Sequence, residues 1–253
     1  MKGVILAAGY ATRFLPASKT IPKEMFPLID RPVIDFIVQE MVDSGIKDIL
    51  LVSSRRKKVL EDYFDREVEL SSAFKESQQH QKLELIKPTT ANIFTLRQQY
   101  MMGTGNALML VEPFVNNEPF VVAYPDDIVF GDPPLTRQLI DAWEVCGKTI
   151  LTVKELPKEE LQRYGIIDPE EPGKLMKVRS MVEKPKPVRN RVVLLHTVDT
   201  FTRLKSSMSC AQPTPAINTK GNSPKPKRSM YLPLPAKFPL YSLKEHDMIL
   251  ENH

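Results

Sequence analysis

Cysteine is scarce. The two in this 253-residue chain, Cys146 and Cys210, stand far apart, so no disulfide framework is expected and a reducing compartment, the cytoplasm, is. Histidine is scarce too: His80, His196, His246 and His253 show none of the spacing of a metal-binding cluster. Neither a Ser-His-Asp nor a Cys-His constellation for nucleophilic catalysis is legible. No apolar run approaches the roughly 20 residues of a membrane span. The opening "MKGVILAAGYATR" lacks the long apolar region and cleavage site of a signal peptide and reads instead as a short strand.

Charge is unevenly distributed. The net value of +4 conceals a tail from Lys186 onward with eleven Lys and Arg against four Asp and Glu, which leaves 24 basic and 27 acidic residues in the rest. A basic tail can contact nucleic acid. Dense proline and poor periodicity favour a solvated, poorly structured segment instead, and neither a nucleic-acid partner nor a membrane is expected.

What is present is a pattern of alternating strands and helices. "GVILAA" is a short apolar run ending in small residues, the mark of a buried parallel strand. "RPVIDFIVQEMVDSG" has helical spacing, with Val33, Phe36, Ile37, Glu40, Met41 and Ser44 at steps of three and four and Gly45 as a C-cap. "DILLVS" is a second strand, "RRKKVLEDYF" opens a helix, "KLELI" is a third strand and "EPFVVAYPDD" a fourth. "LTRQLIDAWEVCG" is an amphipathic helix ending at Gly147, and "KTILTVKEL" is a fifth strand. The alternation predicts an α/β fold with a parallel sheet. Ligands of such sheets sit at the carboxyl ends of the strands, so the loops after Ala7 and after Ala123 are expected beside one crevice.

The first of these loops has a chemistry of its own. Ala7, Ala8, Gly9 and Ala11 have small or absent side chains, which lets backbone N–H groups approach a phosphate chain. Arg13 brings a permanently charged planar fork, and Lys23, stiffened by Pro22, brings a second cation. The plainer alternative is a surface loop with incidental charges. A strand, a small-residue loop, an arginine and a Pro-Lys pair in that order favour phosphate binding.

These residues carry a resemblance. "LAAGYATRFLPASKTIPKEMFPLIDRPVIDF" resembles the signature of the sugar-nucleotide pyrophosphorylases, in detail that of the bacterial UTP–glucose-1-phosphate uridylyltransferases. "SGIKDILLVSSRRKKVLEDYFDREVEL", "RQQYMMGTGNAL", "YPDDI", "RYGIID" and "MVEKPKP" extend it to about Val193. The resemblance implies a Rossmann-like, mostly parallel sheet of the nucleotide-diphospho-sugar transferase type over residues 1–193. It implies a reaction of UTP with glucose 1-phosphate that yields UDP-glucose and pyrophosphate, with Mg2+ as cofactor. By the same resemblance Gln98 reads the uracil edge, Gly103 contacts the base, and Asp126 holds the metal. Gly165 contacts the glucose, Glu183 accepts its hydroxyls and Lys184 neutralises its phosphate. Arg13 and Lys23 are then the catalytic cations. Taken alone, Gln98 would be a surface residue, "DD" an acidic turn, and Glu183–Lys184 one buried and one exposed neighbour on a strand. Where the family usually has Gly, this chain has Ala11, whose methyl is expected to crowd the triphosphate slightly.

After Val193 the pattern stops. The family text "GRYIxTPEIFD", "GEIQLTDA" with a second metal-binding Asp, and "FEGxRYDxG" has no counterpart in "LLHTVDTFTRLKSSMSCAQPTPAINTKGNSPKPKRSMYLPLP". The codons of "HTVDTFTRLKSSM", read from each third base, allow Tyr-Gly-Arg-Tyr-Ile-Tyr-Thr-Pro-Glu-Ile-Phe-Asp. "LKEHDMILEN" read the same way allows Glu-Gly-Thr-Arg-Tyr-Asp-Ile-Gly-Lys, its Asp forced by Met248 followed by Ile249. The stretch between them matches only in part, and the metal-binding Asp is not allowed. We read residues 194–253 as an out-of-frame tail that begins near Val192 to Leu195 and is expected to be poorly ordered. The family is homo-oligomeric, and such a tail is expected to interfere with that. Two other readings stay open here: an inactive nucleotide-binding remnant, and a relative that uses dTTP or another sugar phosphate.

Overall fold

Strands that are apolar at every position, as in the runs "VIL", "ILLV" and "FVVA", need cover on both faces. The computed structural model supplies it. It describes residues 1–155, 165–170, 175–183, 193–201 and 240–244. The elements run β1 (Lys2–Leu6), β2 (Pro27–Leu28), β3 (Arg31–Pro32), α1 (Val33–Asp43), β4 (Asp48–Ser53), α2 (Lys58–Phe64), α3 (Val68–Glu76), α4 (His80–Leu85), β5 (Asn92–Arg97), α5 (Thr104–Leu110), α6 (Glu112–Val115) and β6 (Phe120–Ala123). They continue with α7 (Leu135–Cys146), β7 (Ile150–Glu155), β8 (Gly165–Pro169), β9 (Leu175–Glu183), β10 (Val193–Phe201) and β11 (Leu240–Lys244).

Among the described residues, nine strands form one sheet in the order β5-β4-β1-β6-β10-β7-β11-β9-β8, and β2 and β3 form a separate two-stranded ladder. The first four, β5, β4, β1 and β6, are all parallel. Beyond them β10 runs antiparallel to β6 and β7, and β8 and β9 pair antiparallel, so the parallel expectation describes the first half of the sheet. Strands β10 and β11 belong to the tail after Val193; the other residues of that tail lie outside the described residues.

Alternate residues of each central strand feed two cores. On one face Ile5, Ile49, Leu51, Val121 and Ala123 pack with Ile34, Ile37, Val38 and Met41 of α1, Leu60 of α2 and Leu139 of α7. On the other, Val4, Leu50, Val52, Phe120 and Val122 pack with Ala107, Val111 and Val115 around α5 and α6. The buried stripe of α1 is thus centred on Ile34, Ile37, Val38 and Met41. Val33 and Phe36, placed in the stripe from the sequence, sit at its half-buried edge, where Phe36 meets Phe130 edge-on and lies under the Arg31 guanidinium. Helix α7 ends as its glycine predicts: Gly147 takes the left-handed conformation, φ 62°, and donates its N–H to the Trp143 carbonyl at 2.7 Å.

The expected third strand is corrected. "KLELI" lies in and just after α4, and Leu85 is 84% exposed. Lys, Leu and Glu are all good helix formers. The strand position beside β4 goes instead to "NIFTLR", whose Ile93, Phe94 and Thr95 suit a pleated surface.

One half-buried carboxylate joins the two helices of the first core. Glu40 of α1 accepts the backbone N–H of Thr136 at 2.8 Å and its hydroxyl at 2.5 Å, and so caps the start of α7. Burial raises the Glu40 pKa above its ordinary value, and the two bonds from Thr136 oppose the rise. A carboxyl whose folded value is raised favours folding while protonated. That contribution is complete below the unfolded value and is lost as pH rises through the folded one. Glu40→Gln keeps an oxygen for Thr136 without the charge. It is expected to melt higher than the parent at about pH 7, with the difference vanishing toward about pH 4, where the parent carboxyl is itself neutral. Thermal melts at the two pH values check this.

Candidate functional site

The chain moves outward from β1 to β4 and β5, then returns to the other side of β1 for β6. That reversal opens a crevice at the carboxyl ends of β1 and β6, where α/β sheets bind ligands. The loop from Ala7 to Met25 enters it from β1, and Pro125 to Asp127 enters it from β6. The two loops expected beside one crevice are in fact neighbours.

Within the first loop Ala7 and Ala8 are buried, and Ala7 donates its N–H to the Val52 carbonyl at 2.8 Å. Gly9 is exposed, and a Cβ placed on it would meet no protein atom within 4 Å. The space in front of it is open to a ligand. Ala11 lies in the left-handed region, φ 54° and ψ 38°. The family's usual glycine at this position therefore has a backbone reason as well as the expected relief of crowding against a ligand. Its carbonyl accepts the Ser18 hydroxyl at 2.8 Å and the Phe14 N–H at 3.0 Å, which hold the strained residue in place. A left-handed alanine costs about 1–2 kcal/mol, and glycine gives back some of that through the unfolded chain. Ala11→Gly is expected to raise stability by about 0.5–1 kcal/mol in urea denaturation.

Lys23 opens a short 3-10 turn, Lys23–Met25, directly after Pro22. Its ammonium donates to Asp126 Oδ2, and its side chain is 18% exposed against 46% for Asp126. This pair brings together two of the residues proposed from the sequence, 103 positions apart. Arg13 is exposed in the turn Thr12–Phe14. Gln98 is 5% exposed and points inward: its amide donates to Asn106 Oδ1 at 3.1 Å and to the Gly103 carbonyl at 3.4 Å. It braces Gly103, whose φ of 91° starts α5. On the other half of the sheet, Gly165 of β8 stands in register opposite Glu183 of β9. Lys184 lies outside the described residues.

Two residues were missed. Lys57 is 5% exposed and Glu24 1%. The Lys57 ammonium donates to both Glu24 oxygens, at 2.7 and 2.8 Å, and to the Ala7 carbonyl at 2.5 Å. Burial pushes the Lys57 pKa down, while the Glu24 carboxylate opposes the fall. In the sequence Lys57 sits inside "SRRKK", a charge run that reads as a solvated helix start. Nothing in the run distinguishes the one lysine that turns inward. Its neighbour Arg56 bridges to the Lys19 carbonyl at 2.8 Å, and Gly9, Tyr10, Ala11, Lys19, Ser54 and Arg56 help line a shallow cationic pocket beside the loop.

The arrangement suits a polyanion. It offers bared amides, two cations on the loop and a further cationic rim. Among the described residues no three His, Cys, Asp or Glu side chains group as a metal cage. Asp126 is an exposed carboxylate in the crevice, paired with Lys23. That donor set fits Mg2+, which keeps several waters and takes oxygens from one or two carboxylates and from phosphates.

Comparison with known proteins agrees with this fold. The family model described as nucleotidyl transferase matches residues 2–195. A UTP–glucose-1-phosphate uridylyltransferase of Staphylococcus epidermidis is 43% identical over 188 residues, which are 73% of this chain and 65% of that protein. The match therefore spans less than two thirds of that relative. A solved structure of UTP-bound UGPase from Acinetobacter baumannii superposes with a TM-score of 0.73 at 30% identity, covering 79% of this chain and 73% of that one. A UDP-glucose pyrophosphorylase complexed with UDP-glucose gives a TM-score of 0.67 at 32% identity, covering 79% and 75%.

Proposed function

Because the chain belongs to the nucleotidyl transferase family, we propose that its crevice transfers a uridylyl group from UTP to glucose 1-phosphate. The observation that carries the reading is the Lys23–Asp126 pair, which joins the small-residue loop to the end of β6 at the switch point of the sheet. It sets a phosphate-binding cation beside a carboxylate suited to Mg2+. A relative described as a UTP–glucose-1-phosphate uridylyltransferase and a UGPase solved with UTP bound support the choice of nucleotide.

In the proposed reaction a phosphate oxygen of glucose 1-phosphate attacks the α-phosphorus of UTP. A new P–O bond forms, the bond from the α-phosphorus to the bridging oxygen breaks, and pyrophosphate leaves with that electron pair. No protein nucleophile is required. The chain's part is to position the reactants and neutralise charge. The amides from Ala8 to Ala11 cradle phosphate oxygens, Arg13 and Lys23 balance the charge on the leaving pyrophosphate, and Gln98 with Gly103 forms the wall against the base. Glu183 and Lys184 are assigned to the sugar phosphate, with Gly165 beneath the hexose. Asp126 would hold Mg2+, which when bound supplies charge neutralisation to the phosphates.

Incubating the chain with UTP, glucose 1-phosphate and Mg2+ and measuring pyrophosphate is the test. Release that needs both substrates, and is faster with UTP than with dTTP, supports the reading. Binding of UTP without release overturns it. We also propose that the reading frame slips near Val192 to Leu195. Sequencing the gene there decides the matter, and an uninterrupted frame in independent isolates removes the idea.

A further inference from the structure

We propose that Lys57 is a positioning residue for this site: one buried ammonium holds the phosphate loop and the Lys23 turn in a fixed relation. The inference rests on the uridylyl-transfer reading above and deepens it.

An ammonium has three N–H donors, and all three have a destination here. Two meet the Glu24 carboxylate and one meets the Ala7 carbonyl. These acceptors belong to different segments. Ala7 follows the last residue of β1, where the loop of small residues begins, and Glu24 stands next to Lys23 in its turn. Lys57 itself ends the turn Arg55–Lys57 that follows β4. Its side chain therefore links the carboxyl ends of β1 and β4 to the segment that carries Lys23, and Lys23 reaches across to Asp126 at the end of β6. Three loops from three adjacent strands meet through two ammonium groups.

A buried ion pair is a costly way to gain stability alone, since apolar side chains of similar volume often serve as well or better. What it adds is direction. Charged hydrogen bonds fix the angle and distance between the segments they join, and a displacement of about 1 Å at such a site costs about 100-fold in rate. The Lys57 side chain is 6% exposed and its Glu24 partner 1%; Lys57 borders the pocket beside the loop, but its three donors are all committed to Ala7 and Glu24, so it acts through them.

The experiment separates positioning from plain stability. Lys57→Met alone strands the Glu24 carboxylate and is expected to fold poorly. The double variant Lys57→Met with Glu24→Met removes both charges and is the informative one. Its kcat/KM for UTP should fall about 100-fold. Amide exchange should quicken at Phe14, Met25 and Phe26 while the strands β4 and β6 keep the parent's rates. A folded double variant with parental exchange at those three amides and kcat/KM within about twofold of the parent's overturns the proposal, because loss of the pair would then leave the site in place. If the parent releases no pyrophosphate, the uridylyl-transfer reading fails. The exchange measurement then decides alone whether Lys57 ties the loops. If neither variant folds, exchange of the parent in rising urea takes over. Loss of protection at Ala7, Met25 and Phe26 in one step supports the link, and loss in separate steps overturns it.

Discussion

Lys23→Met is expected to lower kcat/KM for pyrophosphate release by about 100–1000-fold, the usual cost of removing one preorganised charge-stabilising donor. The melting temperature should hardly move. The reason lies in what Lys23 does in each state. In the free chain its ammonium pairs with Asp126, and nearly half of that carboxylate side chain is exposed. Such a pair contributes at most about 1 kcal/mol to the fold. In the reaction proposed above, the same ammonium faces the phosphates, where charge builds up on the departing pyrophosphate. The loss therefore falls on the transition state and not on the native state. Lys23→Arg keeps the charge but replaces a compact donor by a broad fork, and should recover only part of the rate. A Met variant with less than a tenfold loss in steady-state assays would remove Lys23 from the catalytic cations.

Phe120→Ala is expected to destabilise the chain by about 3–5 kcal/mol, the range for deleting a fully buried aromatic ring. Phe120 is 0% exposed at the start of β6 and packs among Val4, Leu50, Val52, Val111, Val115 and Val122. Strands β1 and β4 and the helical cover hold this pocket from several sides, so it cannot collapse onto a cavity of that size. A single-domain protein has about 5–15 kcal/mol in all, so about a fifth or more of the margin is at stake. The consequence reaches the site, because β6 runs from Phe120 to Ala123 and Asp126 follows it within three residues. Urea denaturation measures the effect. Val145, 83% exposed on α7, is the control, and its alanine variant should stay within about 0.5 kcal/mol of the parent. A Phe120 variant that does the same would show that this core repacks freely.

Much of the site was legible because its signals are local. The apolar runs of β1, β4 and β6 announce strands buried on both faces. Gly147 announces the end of α7 through its left-handed conformation. Small residues after β1, then Arg13, Pro22 and Lys23, point to a phosphate loop, whereas Asp126 was picked out by resemblance alone, since "DD" by itself reads as an acidic turn. Each of these is decided within about ten residues, the span over which backbone sterics and hydrophobic period act. The parallel order of the first four strands follows from their alternation with helices.

The tertiary structure alone decided the rest. Whether "KLELI" or "NIFTLR" lies beside β4 is a competition for one sheet edge; local propensity leans to the second, and pairing with β4 settles it. The face that α1 buries depends on which helices it meets. Lys57 and Glu24 are 33 positions apart, and Lys23 and Asp126 are 103 apart. Nothing in a run of basic residues tells which of them will leave water. A charge goes inside only where the fold has already gathered acceptors enough to replace its hydration, and those acceptors come from segments that are neighbours in space and distant in sequence.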